Sequence, residues 1–450
     1  MNAPTRQIAN SRLLIGVAAA VMLLVIAAVY LPDIGRGFVK DDFGWIRNAR
    51  TGLVEPGRIL QPSHPGFYRP LVTAAFVVDY VLFGVNARGY GFTNLGLYLA
   101  CVVAVWALLR EAGPSSTAAA VGAFAWALNP HGINMAVVWL SGRTSLLVTL
   151  CATVCALAFL KRRRVAGSLL LFAALLAKEE ATLLPLVLLA WLSMLRGERG
   201  RSLMLDAAVM CAPLIVYAVL RAQTPALTPA TAPWFYRPTA DLRLLVWNAL
   251  EYLDRGATVF AIVTAIAWAV YRPRRFELSG RLVAAGVAWF IVGYALTVWI
   301  PVRSSLYAVF PSVGAALLCA GAVDAFRSAR ATRPSSDAWL AAALASVLAF
   351  VPVYQKRNDR WVEPARLSAR AIETMAANPP AGLHGTVVLE DEHVQFASFT
   401  DAFGDFAGDA VHEATHRALA ARIENGGTRG TGPIAARYRL TRGRIERVNP

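Results

Sequence analysis

What most constrains this chain is its series of apolar runs, many of about 17 to 25 residues, separated by short basic stretches. As helices, such runs cross a hydrocarbon core of about 30 Å, where each backbone N–H and C=O must find a partner within its own segment. With 57% hydrophobic and 16% charged residues over 450 positions, the chain lies outside the soluble norm of roughly 25% charged. It reads as a polytopic membrane protein, mainly α, built as a transmembrane helical bundle. The first run, 13–31, follows a short basic N-terminus and has no small-residue cleavage pattern before Pro32, so it is read as a retained helix, not a signal peptide.

A formal charge of +16 could serve a nucleic acid only if the basic residues gathered on one folded surface. They fall instead between apolar runs, in Lys161-Arg162-Arg163-Arg164, Arg196 to Arg201, Arg272 to Arg275 and Arg327 to Arg333. These are positive-inside signals, and no nucleic-acid partner is expected. All five cysteines (Cys101, Cys151, Cys155, Cys211, Cys319) lie in apolar runs, where cysteine behaves as a small hydrophobe, so no disulfide framework is implied.

Placing every basic cluster in the cytoplasm and alternating sides gives about 11 helices. They fall near 13–31, 92–110, 117–129, 144–160, 165–177, 181–195, 203–221, 256–271, 282–300, 304–323 and 338–354. The N-terminus is then inside and the C-terminal tail outside an inner membrane of bacterial type. The extracytoplasmic face gathers the first loop (about 32–91), the link 129–143, the tip Lys178-Glu179-Glu180, the loop 222–255 and the tip 301–303. The run 71–83 is too short to span and reads as an interfacial or re-entrant helix. A second interfacial helix is expected over 241–254, with Leu244, Leu245, Ala249 and Leu253 at helical spacing.

Composition divides the chain into a transmembrane part, 1–354, and a small extracytoplasmic α+β domain, 355–450. In the latter, helices are expected near 363–376 and 405–421, a strand at 386–390, and a hairpin of 437–442 and 444–448 about Gly443. No internal repeat of fixed period is visible.

Just beyond the first run stands Phe38-Val39-Lys40-Asp41-Asp42-Phe43, a carboxylate pair at a membrane boundary. Neighbouring side chains diverge in a helix or a strand, so the two acids cannot clamp one atom. One is the working group, with Asp41 favoured; the other caps the following helix or pairs with Lys40. The plain alternative is two solvated interfacial acids.

Downstream come Tyr68-Arg69-Pro70-Leu71, Phe83-Gly84-Val85-Asn86-Ala87-Arg88-Gly89-Tyr90, Asn94, Asn129-Pro130-His131, Trp139-Leu140-Ser141-Gly142-Arg143, Leu176-Ala177-Lys178-Glu179 with Pro185, and Arg303 with Tyr307 and Pro311-Ser312-Val313-Gly314. In this order, over roughly residues 10–320, they resemble the type C membrane glycosyltransferases, specifically bacterial relatives of the transmembrane protein O-mannosyltransferases. The resemblance implies an acidic pair in the first extracytoplasmic loop, a place that Asp41 and Asp42 take. It also implies a polyprenyl-phosphate sugar as donor; the acceptor, which the resemblance does not identify, is left open among a glycan, a lipid and a protein.

The residue types suit that chemistry. A lipid phosphate is a good leaving group, so no second carboxylic acid is needed to protonate it. A single carboxylate then takes the proton of the acceptor hydroxyl as general base, and the sugar is inverted at its anomeric carbon. Cations must hold the phosphate. Arg143, Lys178 and Arg303 fit because they map to the outer face, away from the positive-inside clusters, and Arg69 is the next candidate. The alternative is a snorkelling cation at a helix end, or for Lys178 pairing with Glu179 or Glu180. Sugar or acceptor contacts are expected from Tyr68, His131, Glu179 and Trp139; Trp45, Tyr90 and Trp234 lie near the same face, where interfacial belts also place aromatics.

His64 and His131 stand alone, without metal-ligand spacing, and no metal centre is expected; a divalent cation would be compatible with the reaction but is not demanded. Two rival readings exist. A flippase for lipid-linked sugars would share the many helices and charged cavity residues. A zinc metallopeptidase could use His412-Glu413-Ala414-Thr415-His416, which on one helix would offer two imidazoles and a general base.

Overall fold

A run without a polar break satisfies its backbone only along its own axis, and the apolar segments accordingly fold as helices. The computed structural model describes residues 3–63, 66–329, 349–380, 382, 384–391, 398–425, 432–441 and 443–448. In chain order the helices are α1 (Ala3–Tyr30), α2 (Asp41–Val54), α3 (Pro70–Phe83), α4 (Ala87–Ala112), α5 (Ser116–Ala127), α6 (Ile133–Val138), α7 (Arg143–Leu160), α8 (Arg164–Ala177), α9 (Leu184–Arg196), α10 (Gly200–Ala222), α11 (Leu242–Tyr271), α12 (Gly280–Tyr294), α13 (Ser312–Ser328) and α14 (Val351–Ala377). His64 and most of the expected helix 338–354 lie outside the described residues.

The protein is mainly helical, with four segments long and apolar enough to cross a membrane: Ala87–Ala112, Leu140–Leu160, Gly200–Ala222 and Leu242–Tyr271. Helices α5, α8, α9 and α12 hold 12, 14, 13 and 15 residues. That is short of the roughly 20 that a span needs, so among the described residues four helices are long and apolar enough to cross, by length and composition, and the bundle of about 11 that the sequence led us to expect is not confirmed. The interfacial helix expected over 241–254 and the span over 256–271 are one continuous helix, α11, of 30 residues. Nothing in Asp254-Arg255-Gly256 breaks it: one glycine costs a helix only about 1 kcal/mol. Conversely, α13 begins at Ser312, eight residues later than expected, with Pro311, which has no N–H to donate, at its N-cap.

The charged pairs sort the bundle into two ends. At one end Glu111, in the last turn of α4, pairs with Lys161 (3.7 Å) and with Arg196; Arg162 pairs with Glu198, and Arg164 with Asp206 (2.5 Å). Two of the basic clusters, 161–164 and 196–201, are thus linked through the acids of neighbouring turns. At the other end the first loop, the link after α5, the turn after α8 and the loops flanking α11 and α12 meet. Leu227 N–H bonds to the Gly66 carbonyl (2.8 Å), and the Asn248 amide to the carbonyls of Val298 and Ile300 (2.9 and 3.0 Å).

The C-terminal part adds a four-stranded sheet, order β2-β1-β3-β4, of β1 (Thr386–Asp391), β2 (Ala420–Asn425), β3 (Ile434–Thr441) and β4 (Arg444–Val448). Strand β1 runs parallel to β2 and β3, and β3 turns back antiparallel into β4 at Gly443, whose φ of 77° suits a residue without Cβ. The expected helix 405–421 is broken: Ala407–Thr415 is helical, His416 turns left-handed, and β2 follows. Helix α14 runs unbroken through Tyr354, so the compositional boundary at 354 falls inside a helix.

This part packs on α2. Arg47 forks onto Asp409 (2.8 and 3.1 Å), Arg50 meets Glu413 (2.5 Å), and Phe43 lies 5.7 Å from Phe403. Gly44 permits the approach, since a Cβ there would stand 2.5 Å from the Phe406 ring.

Candidate functional site

The acidic pair opens α2, and the fold splits it. Asp42 is buried (1% exposed) and fully bonded: one oxygen accepts from the Ser141 N–H (2.8 Å) and hydroxyl (2.5 Å), the other from the Val39 N–H (3.0 Å). Burial pushes its carboxyl up to about 7 against those donors, with the charge of Asp41 adding to the rise. Asp42 therefore ties the first loop to the short turn before α7. Asp41, the first residue of α2, remains partly exposed. Its charge acts on the Tyr236 hydroxyl, which burial raises, Arg69 lowers, and Asp41 and Glu179 raise further.

Lys40, the residue before the pair, holds an unusual backbone: φ is 51° in a residue with a full side chain, fixed by its N–H bonding to the Ala402 carbonyl (2.8 Å). It lines a cavity of about 940 Å³ with His131, Asn134, Arg255, Arg303, Ser304, Lys356, Arg357, Asp359, Arg360, Trp361 and Glu363 among its walls. Six cations face two acids there. Arg255 and Arg303 share Glu251 at 3.1 and 3.4 Å, yet Nη1 of Arg255 is buried without a hydrogen-bond partner among the described residues. Beside the cavity, Trp139 stacks on Trp361 at 4.6 Å, and its Nε1 is likewise buried without an acceptor. One orphaned donor in a cationic cleft, with a second beside it, calls for an anion or a polyol.

The cations expected to hold a phosphate are placed differently from one another. Arg303 lines the cavity. Arg143 does not: it is fully buried, with Nε on Asn94 (2.9 Å), Nη1 on the Ala75 carbonyl (3.2 Å) and Nη2 on Asp79, and its guanidinium lies 4.3 Å from the Phe76 ring centre. Those bonds fasten α3 and α4 to α7. Lys178 is also buried, 2.6 Å from Glu180 and 3.0 Å from the Ser145 hydroxyl, and 5.0 Å from the Tyr307 ring. Arg69 pairs with Glu179 (2.9 Å) over the Phe67 ring. Burial raises the Glu179 carboxyl, but Arg69 outweighs it and leaves the group below its usual range. The pairing of Lys178 with its own neighbour is the alternative the sequence already offered.

Of the sugar-contact candidates, His131 lines the cavity, its Nδ1 3.4 Å from Arg357 and its Nε2 4.0 Å from Asp254. Trp139 borders it. Tyr68 is buried against Tyr217, Trp45 against Phe76, and Tyr90 is closed off, while Trp234 is exposed. The cations that sequence reasoning missed are Lys40, Arg255, Lys356, Arg357 and Arg360. A signal existed: Lys356, Arg357 and Arg360 form a basic cluster in the part that the sequence leads us to expect outside, where the charge rule expects few cations.

In the His-Glu-x-x-His stretch, His416 is the left-handed cap of its helix (φ 54°), and Glu413 is engaged by Arg50. Among the described residues no cluster of three His, Cys, Asp or Glu could hold a metal ion. No protein-family model matches the chain, and no curated protein does.

Proposed function

We propose that this protein is an integral-membrane glycosyltransferase that moves a sugar from a polyprenyl-phosphate donor to an acceptor hydroxyl on the extracytoplasmic face. The observation that carries this reading is the cationic cavity walled by Lys40, the residue that precedes Asp41, and by Arg255 with its orphaned donor. Asp41 takes the proton of the acceptor hydroxyl; that oxygen bonds to the anomeric carbon from the face opposite the phosphate, and the carbon–oxygen bond to the lipid phosphate breaks. Lys40, Arg255, Arg303 and Arg357 hold the phosphate as its charge grows. Asp42 supports the reaction indirectly, by fixing the loop on which Asp41 stands. Trp139 and His131 are placed to meet the sugar or the acceptor. Each basic cluster at the far end of the bundle then lies in the cytoplasm, and the C-terminal domain outside.

Transfer by purified protein from a polyprenyl-phosphate sugar is the test. Asp41→Asn should lower the rate by about 10² to 10⁴-fold, the usual worth of a general base, with folding intact. Full transfer by that variant would remove Asp41 from the mechanism, and flux of the lipid-linked sugar without a new glycosidic bond would favour a flippase.

A further inference from the structure

A second basic cavity, of about 550 Å³, lies further along α14 than the first, and the two share Glu363 as a wall. Three separate segments build it: the turn Pro32 to Arg36 where α1 ends, Arg88 in the first turn of α4, and Arg366 to Arg370 of α14. Four arginines face two acids. Both acids are spent on one of them, since Arg366 takes Asp33 at 2.5 Å and Glu363 at 3.1 Å. Arg36 is held only by carbonyls, those of Asp33 (2.9 Å) and Val137 (3.4 Å), and is 9% exposed. Neither Arg88 nor Arg370 has an ion pair among the described residues. The charges of Asp42 and Asp33 reach Arg36, but with four arginines against two acids in its walls the cavity keeps an excess of positive charge.

An apolar surface adjoins it. Leu31 is 43% exposed at the end of α1, Val85 53% exposed just before α4, and Phe92 51% exposed one helical turn beyond Arg88, on the same face. A cationic pocket at the rim of lipid-facing apolar residues matches an amphiphile with an anionic phosphate head, its chains lying along the hydrocarbon-facing helices.

We infer that this pocket binds the phosphate headgroup of an anionic membrane phospholipid. It is not the donor site, and the inference stands whether or not the protein transfers sugar. The full chain, reconstituted in nanodiscs of phosphatidylcholine with a minor fraction of phosphatidylglycerol, provides the test by native mass spectrometry of retained lipid. Arg88→Gln/Arg370→Gln should lower phosphatidylglycerol retention about 30-fold, two cationic contacts at about 1 kcal/mol each, while Arg88→Lys/Arg370→Lys retains it. Equal melting temperatures of the variants exclude a folding loss. Unchanged phosphatidylglycerol retention in the Gln variant would overturn the site. Displacement of the lipid by millimolar inorganic phosphate, with no loss in Phe92→Ser, would show a pocket for free anions and overturn the lipid assignment.

Discussion

The contact between α2 and the C-terminal domain can be measured directly. Arg47 forks onto Asp409 and Arg50 bonds Glu413, with the carboxylates 16% and 9% exposed and the guanidiniums 38% and 32%. A fully exposed pair would contribute about 0 to 1 kcal/mol; these are partly shielded and hydrogen-bonded, so about 1 to 2 kcal/mol each is expected. Arg47→Asp removes one pair and sets two carboxylates face to face, which should loosen the domain and raise the rate of proteolytic cleavage between 377 and 407. Asp409→Arg alone should act the same way. The double exchange, Arg47→Asp/Asp409→Arg, restores opposite charges, and the double-mutant cycle should give a coupling of about 1 to 2 kcal/mol in chemical denaturation. Because Lys40 bonds Ala402 in the same interface, transfer should fall with the single variants and recover with the double. Additive effects, with coupling below about 0.3 kcal/mol and unaltered cleavage, would refute the idea that these pairs hold α2.

Other consequences concern single residues. Asp42 has a folded-state carboxyl raised from 3.8 to about 7, so between those values the folded protein keeps a proton that the unfolded chain has released. Its contribution to stability is therefore greatest at low pH and declines as pH rises from about 4 to 7, by on the order of 4 kcal/mol; Asp42→Asn should flatten that part of the melting-temperature profile, and an identical slope in both proteins would contradict it. Arg143→Leu leaves Asp79 buried with the Thr93 hydroxyl but without its cation, at a cost of about 3 to 5 kcal/mol in denaturation experiments; Arg143→Leu/Asp79→Leu should recover most of it, which a phosphate ligand would not show. Gly44→Ala places a methyl group against the Phe406 ring and should destabilise by about 1 to 3 kcal/mol, relieved by Phe406→Leu.

The helical class and the two ends of the bundle could be read from the chain alone, because apolar length and basic turns are one-dimensional signals. That Glu111, Lys161 and Arg196 meet follows from the same alternation. Helix α11 was misread as two elements because the charges at 254 and 255 imitate a boundary that the backbone does not make. In the tail, β1 and the β3–β4 hairpin were legible from alternation and Gly443, whereas β2 was hidden in a stretch of helical composition and exists because β1 offers it an edge.

The site divides in the same way. Sequence singled out Asp41-Asp42 and predicted that adjacent side chains must part. Only the packing decided which parted inward: Ser141, 99 residues away, supplies the donors that bury Asp42 and leave Asp41 beside Tyr236. Arg143, Lys178 and Arg69 are all cations in one dimension, but in three each meets a carboxylate that sequence distance conceals or that rivals a ligand: Asp79, Glu180 and Glu179. The cavity belongs to no segment. Lys40, Arg255, Arg303 and Arg357 converge only because the first loop, α11, the turn at 303 and α14 meet at one end of the bundle. Residue type sets what each group can do, while its charge becomes available or spent according to the neighbours that the fold brings to it.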